Sequence, residues 1–266
     1  MKKFERKLRS PLRYPGGKSR ATKHLVPMIE DMGVKEMLSP FFGGGSIELE
    51  LAARGVRVHG YDLFRPVVCF WQSLLKRPDE LVKLVRMCHP LGGKEEFKEL
   101  QEKLREGIDD DPLLEAAVYY ILNRSSFSGT VLSGGYSQQA ARKRFTESSI
   151  QRLEHFKAEK NLTVRWAAFR ESLAVHPDEM FVYADPPYIL GENSNLYGDS
   201  GNLHREFDHV ALFELLKDRP RWMLSYNNCY TVRQMYKDYD FYYPDWSYGM
   251  GADKESKEIL IVSDRK

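Results

Sequence analysis

The apolar positions of the chain keep changing period. A strand-like run at Lys35–Phe42 (KEMLSPFF) gives way to a helical set in Ile47–Arg54, and a second run follows at Val56–Tyr61, ending at Asp62. Short apolar runs bounded by turn residues mark buried strands, and apolar residues three or four apart mark a helix face. Gly43-Gly44-Gly45 separate the first run from the helix, with Ser46 as a good N-cap and Gly55 as a good stop. The segment predicts one βαβ unit.

From about Cys69 to Asn161 the period becomes helical. Asp79–Cys88 carries Leu81, Leu84, Val85 and Cys88, and Glu95–Arg105 carries Phe97, Leu100 and Leu104. Asp111-Pro112 supplies an N-cap and an N1 proline for Leu113–Leu122, and Ser148-x-x-Gln151 reads as a capping box for a helix with Ile150, Leu153 and Phe156. Between these two helices, Asn123–Phe145 is rich in Gly, Ser and Gln, with Phe127, Tyr136 and Phe145 among basic residues, and reads as a loop or hairpin. Strand runs return at Leu162–Ala167, Met180–Ala184, Trp222–Tyr226 and Glu258–Val262, with an amphipathic helix at Phe207–Lys217. Strands alternating with helices predict an α/β fold with a mostly parallel sheet, interrupted by a helical insertion. The expected division is a sheet domain of residues 1–68 and 162–266 and an inserted helical domain of residues 69–161.

Composition narrows the picture only locally. Lys+Arg 40 against Asp+Glu 38 gives a net charge of +2, so overall charge announces no nucleic acid. Residues 1–20, however, hold eight Lys/Arg against Glu5 alone, and Arg142-Lys143-Arg144 form a second basic run. Either cluster is equally well read as a solvated surface segment. Cys69, Cys88 and Cys229 lie far apart, outside any C-x-x-C spacing, which points to reduced packing thiols in a cytoplasmic protein rather than disulfides or a zinc site. No apolar run approaches a membrane span, and the seven histidines show no metal-ligand spacing, so neither membrane nor metal is expected.

Two glycine segments invite chemistry. Arg13–Arg20 (RYPGGKSR) ends like a phosphate-binding P-loop, but Leu12 stands where the first glycine belongs and no buried strand precedes it. Ser39–Ser46 (SPFFGGGS) sits at the carboxyl end of a first strand, where parallel sheets bind nucleotides, and Asp62 at the end of the next strand can accept from both hydroxyls of a ribose. The third glycine of a dinucleotide fingerprint is replaced by Glu48, an anion that would repel a pyrophosphate. A ligand with ribose but no phosphate fits better, and S-adenosylmethionine is the common one.

Asp185-Pro186-Pro187-Tyr188 follows the strand MFVYA directly, on the same sheet edge as the glycine loop. An exocyclic amino group on a base is a poor nucleophile because its lone pair is delocalised into the ring. If Asp185 and the Pro186 carbonyl each accept one of its N–H groups, the lone pair is freed to attack a sulfonium methyl. Tyr188 offers a face on which an extruded base can stack.

Together RYPGGK, SPFFGGGS, the acid of GYDLF, LNRSSFSGT, the phenylalanine of WAAFRESL and YADPPY make the chain resemble the Dam-type (D12 class) DNA adenine-N6 methyltransferases, over nearly its whole length and in that family's alpha order. The resemblance implies a Rossmann-like S-adenosylmethionine-dependent methyltransferase sheet with a helical target-recognition insertion, acting on double-stranded DNA by base flipping. It assigns Tyr14, Gly16, Gly17, Lys18, Phe41, Gly43, Gly45, Asp62, Phe169 and Asp185 to the cofactor, and Asp185, Pro186 and Tyr188 to catalysis. Asn123, Arg124 and Ser126 then fall in a DNA-contacting hairpin, joined by Arg142, Lys143 and Arg144.

Two positions depart from the family pattern: Ser39 and Ala168 stand where many relatives carry acids. Modest cofactor affinity, or compensation by Glu48 or Glu171, is expected. An RNA adenine or protein-amide methyltransferase, and a DNA-binding protein with a decayed site, are the competing readings. Gly191–His204 reads equally as a lid or an ordinary loop, and Phe241–Tyr243 with Trp246 as core and loop packing.

Overall fold

The computed structural model describes residues 4–5, 7–108, 110–157, 159–189, 207–244 and 258–264. Its centre is a seven-stranded sheet in the order β3-β2-β1-β4-β5-β7-β6. The strands are β1 (Glu36–Ser39), β2 (Arg57–Asp62), β3 (Leu162–Trp166), β4 (Phe181–Ala184), β5 (Arg221–Asn227), β6 (Asp240–Tyr242) and β7 (Glu258–Asp264). Neighbours pair in parallel from β3 to β5, and β7 inserts antiparallel between β5 and β6. The order reverses between β1 and β4. Above the carboxyl ends of those two strands the chain leaves in opposite directions, opening the crevice in which such sheets bind ligands.

Alternation along the strands explains the layers. Met37 of β1 and Phe181 and Tyr183 of β4 enter one core, while Leu38, Val182 and Ala184 enter the other. A sheet buried on both faces needs a helical cover on each. The first face is covered by α1 (Thr22–Asp31), α2 (Ser46–Ala52), α3 (Arg65–Lys76) and α6 (Pro112–Ser125), and the other by α9 (Phe169–Ala174), α10 (His209–Lys217) and α11 (Tyr230–Met235). Around α6 gather α4 (Pro78–Met87), α5 (Lys94–Glu106) and α7 (Gln138–Arg144), and α8 (Glu147–Glu154) packs on α4. Residues of the helical segment, among them Phe70, Trp71, Tyr120 and Ile150, share one core with Val58 and Val164 of the sheet.

Several local expectations need correcting. Ser46 is not the cap of α2: Gly45, at φ 64, takes that position and Ser46 is already helical. The capping box of α8 is built from Thr146 and Ser149, which exchange side-chain and backbone bonds, because the helix begins before Ser148. The stretch 123–145 is neither one loop nor a hairpin. Its first residues complete α6, its last form α7, and between them Ser126 and Tyr136 make a single bridge. Helices α1, α3, α9 and α11 and edge strand β6 were not anticipated. In Phe241–Tyr243 only Phe241 packs on the core; Tyr242 and Tyr243 are exposed. Gly191–His204 and Trp246 lie outside the described residues.

The glycine loop depends on close packing beneath it. A Cβ on Gly60 of β2 would stand 2.2 Å from the Phe42 ring. Gly60→Ala should therefore destabilise the protein by ~1–3 kcal/mol through overpacking, read as a lowered urea midpoint with an unchanged slope.

Candidate active site

Tyr14, Pro15, Gly16 and Gly17 form a turn in which Gly17 N–H donates to the Tyr14 carbonyl at 3.0 Å. Proline at the second position and Gly16 at φ 68 in the third are what a type II turn demands. The turn answers what the Gly-Gly-Lys segment does: it aims Lys18 inward. Although it belongs to the basic N-terminal segment, Lys18 is 4% exposed. Its ammonium donates to Asp185 Oδ1 at 2.6 Å and to the Tyr188 hydroxyl at 2.8 Å, and lies 3.0 Å from Glu258 Oε1. The Tyr188 hydroxyl in turn donates to Glu258. A lysine held by two carboxylates does not serve as a phosphate cradle.

The glycine loop after β1 is braced from every side. Phe42 N–H donates to the Tyr61 carbonyl at 2.8 Å, Gly43 N–H to Asp62 Oδ2 at 2.8 Å, and the buried Trp71 indole of α3 to the Gly43 carbonyl at 2.9 Å. The Tyr14 ring lies on the loop so closely that a Cβ at Gly43 would come within 2.8 Å of it. Asp62 also accepts from Phe64 N–H at 2.8 Å. Its burial nevertheless pushes its pKa up to about 6.

The Asp185–Tyr188 turn leaves β4 beside this loop, and Pro186 is buried. Asn227, at the end of β5, fixes the far end of the turn, accepting from Ile189 N–H at 3.0 Å and donating to the Ile189 carbonyl at 2.7 Å. Burial raises the pKa of Asp185 to about 6, with Glu258 adding to the rise and Lys18 opposing it.

Both segments line one cavity of about 460 Å³, within the range of small-molecule sites. Its polar lining includes Asp185, Tyr188, Lys18, Glu48 and Asp62. A further wall is aromatic: Phe41, Phe169 and Phe207 have ring centroids 5.2–5.7 Å apart. Thus Tyr14, Gly16, Gly17, Lys18, Phe41, Gly43, Gly45, Asp62, Phe169, Asp185, Pro186 and Tyr188 all converge on it. Sequence reading missed Glu258, Asn227, Trp71 and Phe207. The one available signal was Glu258, a charge at the head of the otherwise apolar run EILIV.

The two departures resolve differently. Ser39 Oγ donates to Glu48 Oε1 at 2.7 Å, and burial pushes the Glu48 pKa up to about 7. Glu48 lines the cavity. Glu171 instead accepts from Ala168 N–H at 3.0 Å at the start of α9, and the cavity wall there includes Ala168 and Asp208.

The residues expected to touch DNA divide into two sets. Asn123 is fully buried, its amide exchanging bonds with Arg13: it accepts from Arg13 N–H at 3.0 Å and donates to the Arg13 carbonyl at 2.7 Å. Arg124 is 6% exposed, its Nε donating to the Arg144 carbonyl at 2.8 Å, and Ser126 is buried. In this conformation Asn123 and Arg124 tie the N-terminal segment and α7 to α6, while the Ser126 hydroxyl is buried without a hydrogen-bond partner among the described residues. Arg142 and Lys143 are exposed on the last turn of α7, Arg144 half-buried. Phe127 is 71% exposed, in the loop whose residues Gly129–Ser133 form part of the cavity rim.

Among the described residues no cluster of potential metal ligands occurs, and no helix is long and apolar enough to cross a membrane. The three cysteines are free thiols. The Type II methyltransferase M1.LlaDCHI of Lactococcus lactis subsp. cremoris is 22% identical over 275 residues, covering 96% of this chain and 95% of that one. The family description "D12 class N6 adenine-specific DNA methyltransferase" matches residues 14–250, nearly the whole chain and every residue that lines the cavity described above. The chain belongs to the D12 class of N6 adenine-specific DNA methyltransferases.

Proposed function

We propose that the protein transfers a methyl group from S-adenosylmethionine to N6 of an adenine extruded from double-stranded DNA, with the cavity holding both the cofactor and the reacting amino group. The observation that carries this reading is the placement of Asp185 and Pro186 in the lining of a ribose-compatible, aromatic-walled cavity whose Lys18 is already held by two carboxylates. The cavity suits the cofactor's parts. Asp62 keeps a lone pair on each oxygen for ribose hydroxyls, the Phe41–Phe169–Phe207 wall fits an adenine ring, and Glu48 suits the amino-acid ammonium.

When bound, S-adenosylmethionine supplies an electrophilic methyl on a cationic sulfur. The protein's part is to prepare the nucleophile. The Asp185 carboxylate and the Pro186 carbonyl accept the two N–H groups of the adenine, which draws the nitrogen toward tetrahedral geometry and frees its lone pair. Asp185, with a pKa near 6, then takes the proton that the amino group sheds on becoming a secondary amine. Tyr188, its hydroxyl tied to Lys18 and Glu258, presents its ring to the extruded base, whose unstacking costs a few kcal/mol.

In this reading Arg142, Lys143 and Arg144 meet the phosphate backbone, with Phe127 beside them at the duplex, while Asn123, Arg124 and Ser126 act indirectly by shaping the loop. Residues 69–161 form the target-recognition unit. Incubation with duplex DNA and methyl-labelled cofactor, followed by nucleoside analysis, should show label in N6-methyladenine. Label in RNA or protein but not DNA would overturn the proposal.

Glu48 gives a second test. A group with a pKa of about 7 is about half protonated at neutral pH, and a nearby cation favours its charged form. S-adenosylmethionine binding should release protons at pH 7–7.5, seen as a dependence of the binding enthalpy on buffer ionisation. Glu48→Gln should abolish most of that release and weaken binding roughly tenfold. An enthalpy independent of buffer would remove Glu48 from the ammonium site.

A further inference from the structure

We propose that Glu258 is the residue that makes this pocket prefer the positively charged methyl donor to its neutral thioether product, so that the field favouring binding disappears once the methyl has left. The inference rests on the S-adenosylmethionine reading above.

Glu258 opens β7, on the strand that lies antiparallel to β5, and is 3% exposed. It does not line the cavity. It stands behind Lys18 and Tyr188, 3.0 Å from the Lys18 ammonium and bonded to the Tyr188 hydroxyl. Lys18 is also bound by Asp185, so among the described residues two carboxylates meet one ammonium at the reacting end of the pocket. Among the described residues, the other titratable groups facing Asp185 are Glu48 from α2 and the phenols of Tyr183 and Tyr188. None of these is a cation. Glu258 thus shares the Lys18 ammonium with Asp185, so Asp185 is less neutralised by Lys18 than in a simple one-to-one pair.

A sulfonium is a cation and a thioether is not, while the remaining atoms of donor and product are shared apart from the methyl. One negative charge placed near the sulfur therefore acts on donor and product differently, whereas packing and hydrogen bonding act on both alike. A unit charge ~10 Å from another at an effective dielectric of ~20 changes an equilibrium roughly tenfold. Removing this one charge changes the field at a cation whatever else surrounds Glu258. The same carboxylate, by receiving the Tyr188 hydroxyl, joins the orientation of that ring to the charge that holds the donor.

The test is calorimetric titration of the full chain with S-adenosylmethionine and with S-adenosylhomocysteine, without DNA. Glu258→Gln should weaken the donor roughly tenfold and leave the product within about twofold. Equal weakening of both would show a merely structural role and overturn the inference, although the cofactor reading would survive. Failure of either ligand to bind the wild type would overturn both. Glu258→Asp keeps the charge and guards against a Gln variant that does not fold: its donor-to-product ratio should match the wild type whatever its absolute affinities, and collapse of that ratio would overturn the inference.

Discussion

Asp185→Ala leaves the protein folded and lowers methyl transfer by roughly 10²–10⁴-fold or more. The fold survives because Lys18, the partner it abandons, still has Glu258 at 3.0 Å and the Tyr188 hydroxyl at 2.8 Å, so no buried ammonium is orphaned. Burial works against the Asp185 carboxylate, raising its pKa to about 6, so its loss removes a charge the fold does not favour. Chemistry has no such substitute: the Pro186 carbonyl alone grips one N–H and leaves the other conjugated with the ring. The same pKa sets the pH profile. Above about 6 the carboxylate is present and accepts; below it the group is protonated, and kcat/KM should fall about tenfold per pH unit on the acid side. A thermal melt near that of the wild type, together with single-turnover rates, checks both halves of the prediction.

Lys18→Met has the opposite balance, with a large cost to stability as well as rate. It leaves Asp185 and Glu258 facing each other around a methyl group, and breaking a buried ion pair from one side costs ~3–5 kcal/mol. One carboxyl relieves the repulsion by taking a proton. Because Lys18 holds the Asp185 pKa down, its removal should move the acid limb of kcat/KM to higher pH, and the rate at pH 7 should fall with it. A variant with wild-type stability and an unmoved acid limb would show that Lys18 does not govern the charge of Asp185.

These effects arise from residues that the sequence exposes unevenly. The β1–α2–β2 unit and Asp62 were legible because apolar runs, three glycines and a terminal acid lie next to one another. Helix α3 was not: Phe70, Trp71 and Leu74 sit between the sheet and α6, and the unbroken apolar run Val67–Trp71 has the look of a buried strand as much as of a helix. Helices α9 and α11 have six residues each, too few for a period to stand out. Asn123–Ser126 mislead for a different reason. Their composition is that of a turn, but tertiary bonds to Arg13, Pro11 and Arg144 draw the last turn of α6 into the core. On the site side, Lys18, Asp62 and Asp185 carry their chemistry within short motifs, whereas Glu258 and Asn227 act only because β5 and β7 bring distant chain segments against the Asp185–Tyr188 turn.

The central claim is that one carboxylate and one peptide oxygen hold the adenine amino group for attack. It is tested most directly by a crystal structure of the protein with S-adenosylhomocysteine and duplex DNA. The account predicts a target adenine rotated out of the helix, its ring against Tyr188, with N6 at ~2.9 Å from both Asp185 and the Pro186 carbonyl. An adenine extruded into the cavity with N6 bound elsewhere, and Asp185 occupied only by Lys18, would contradict it.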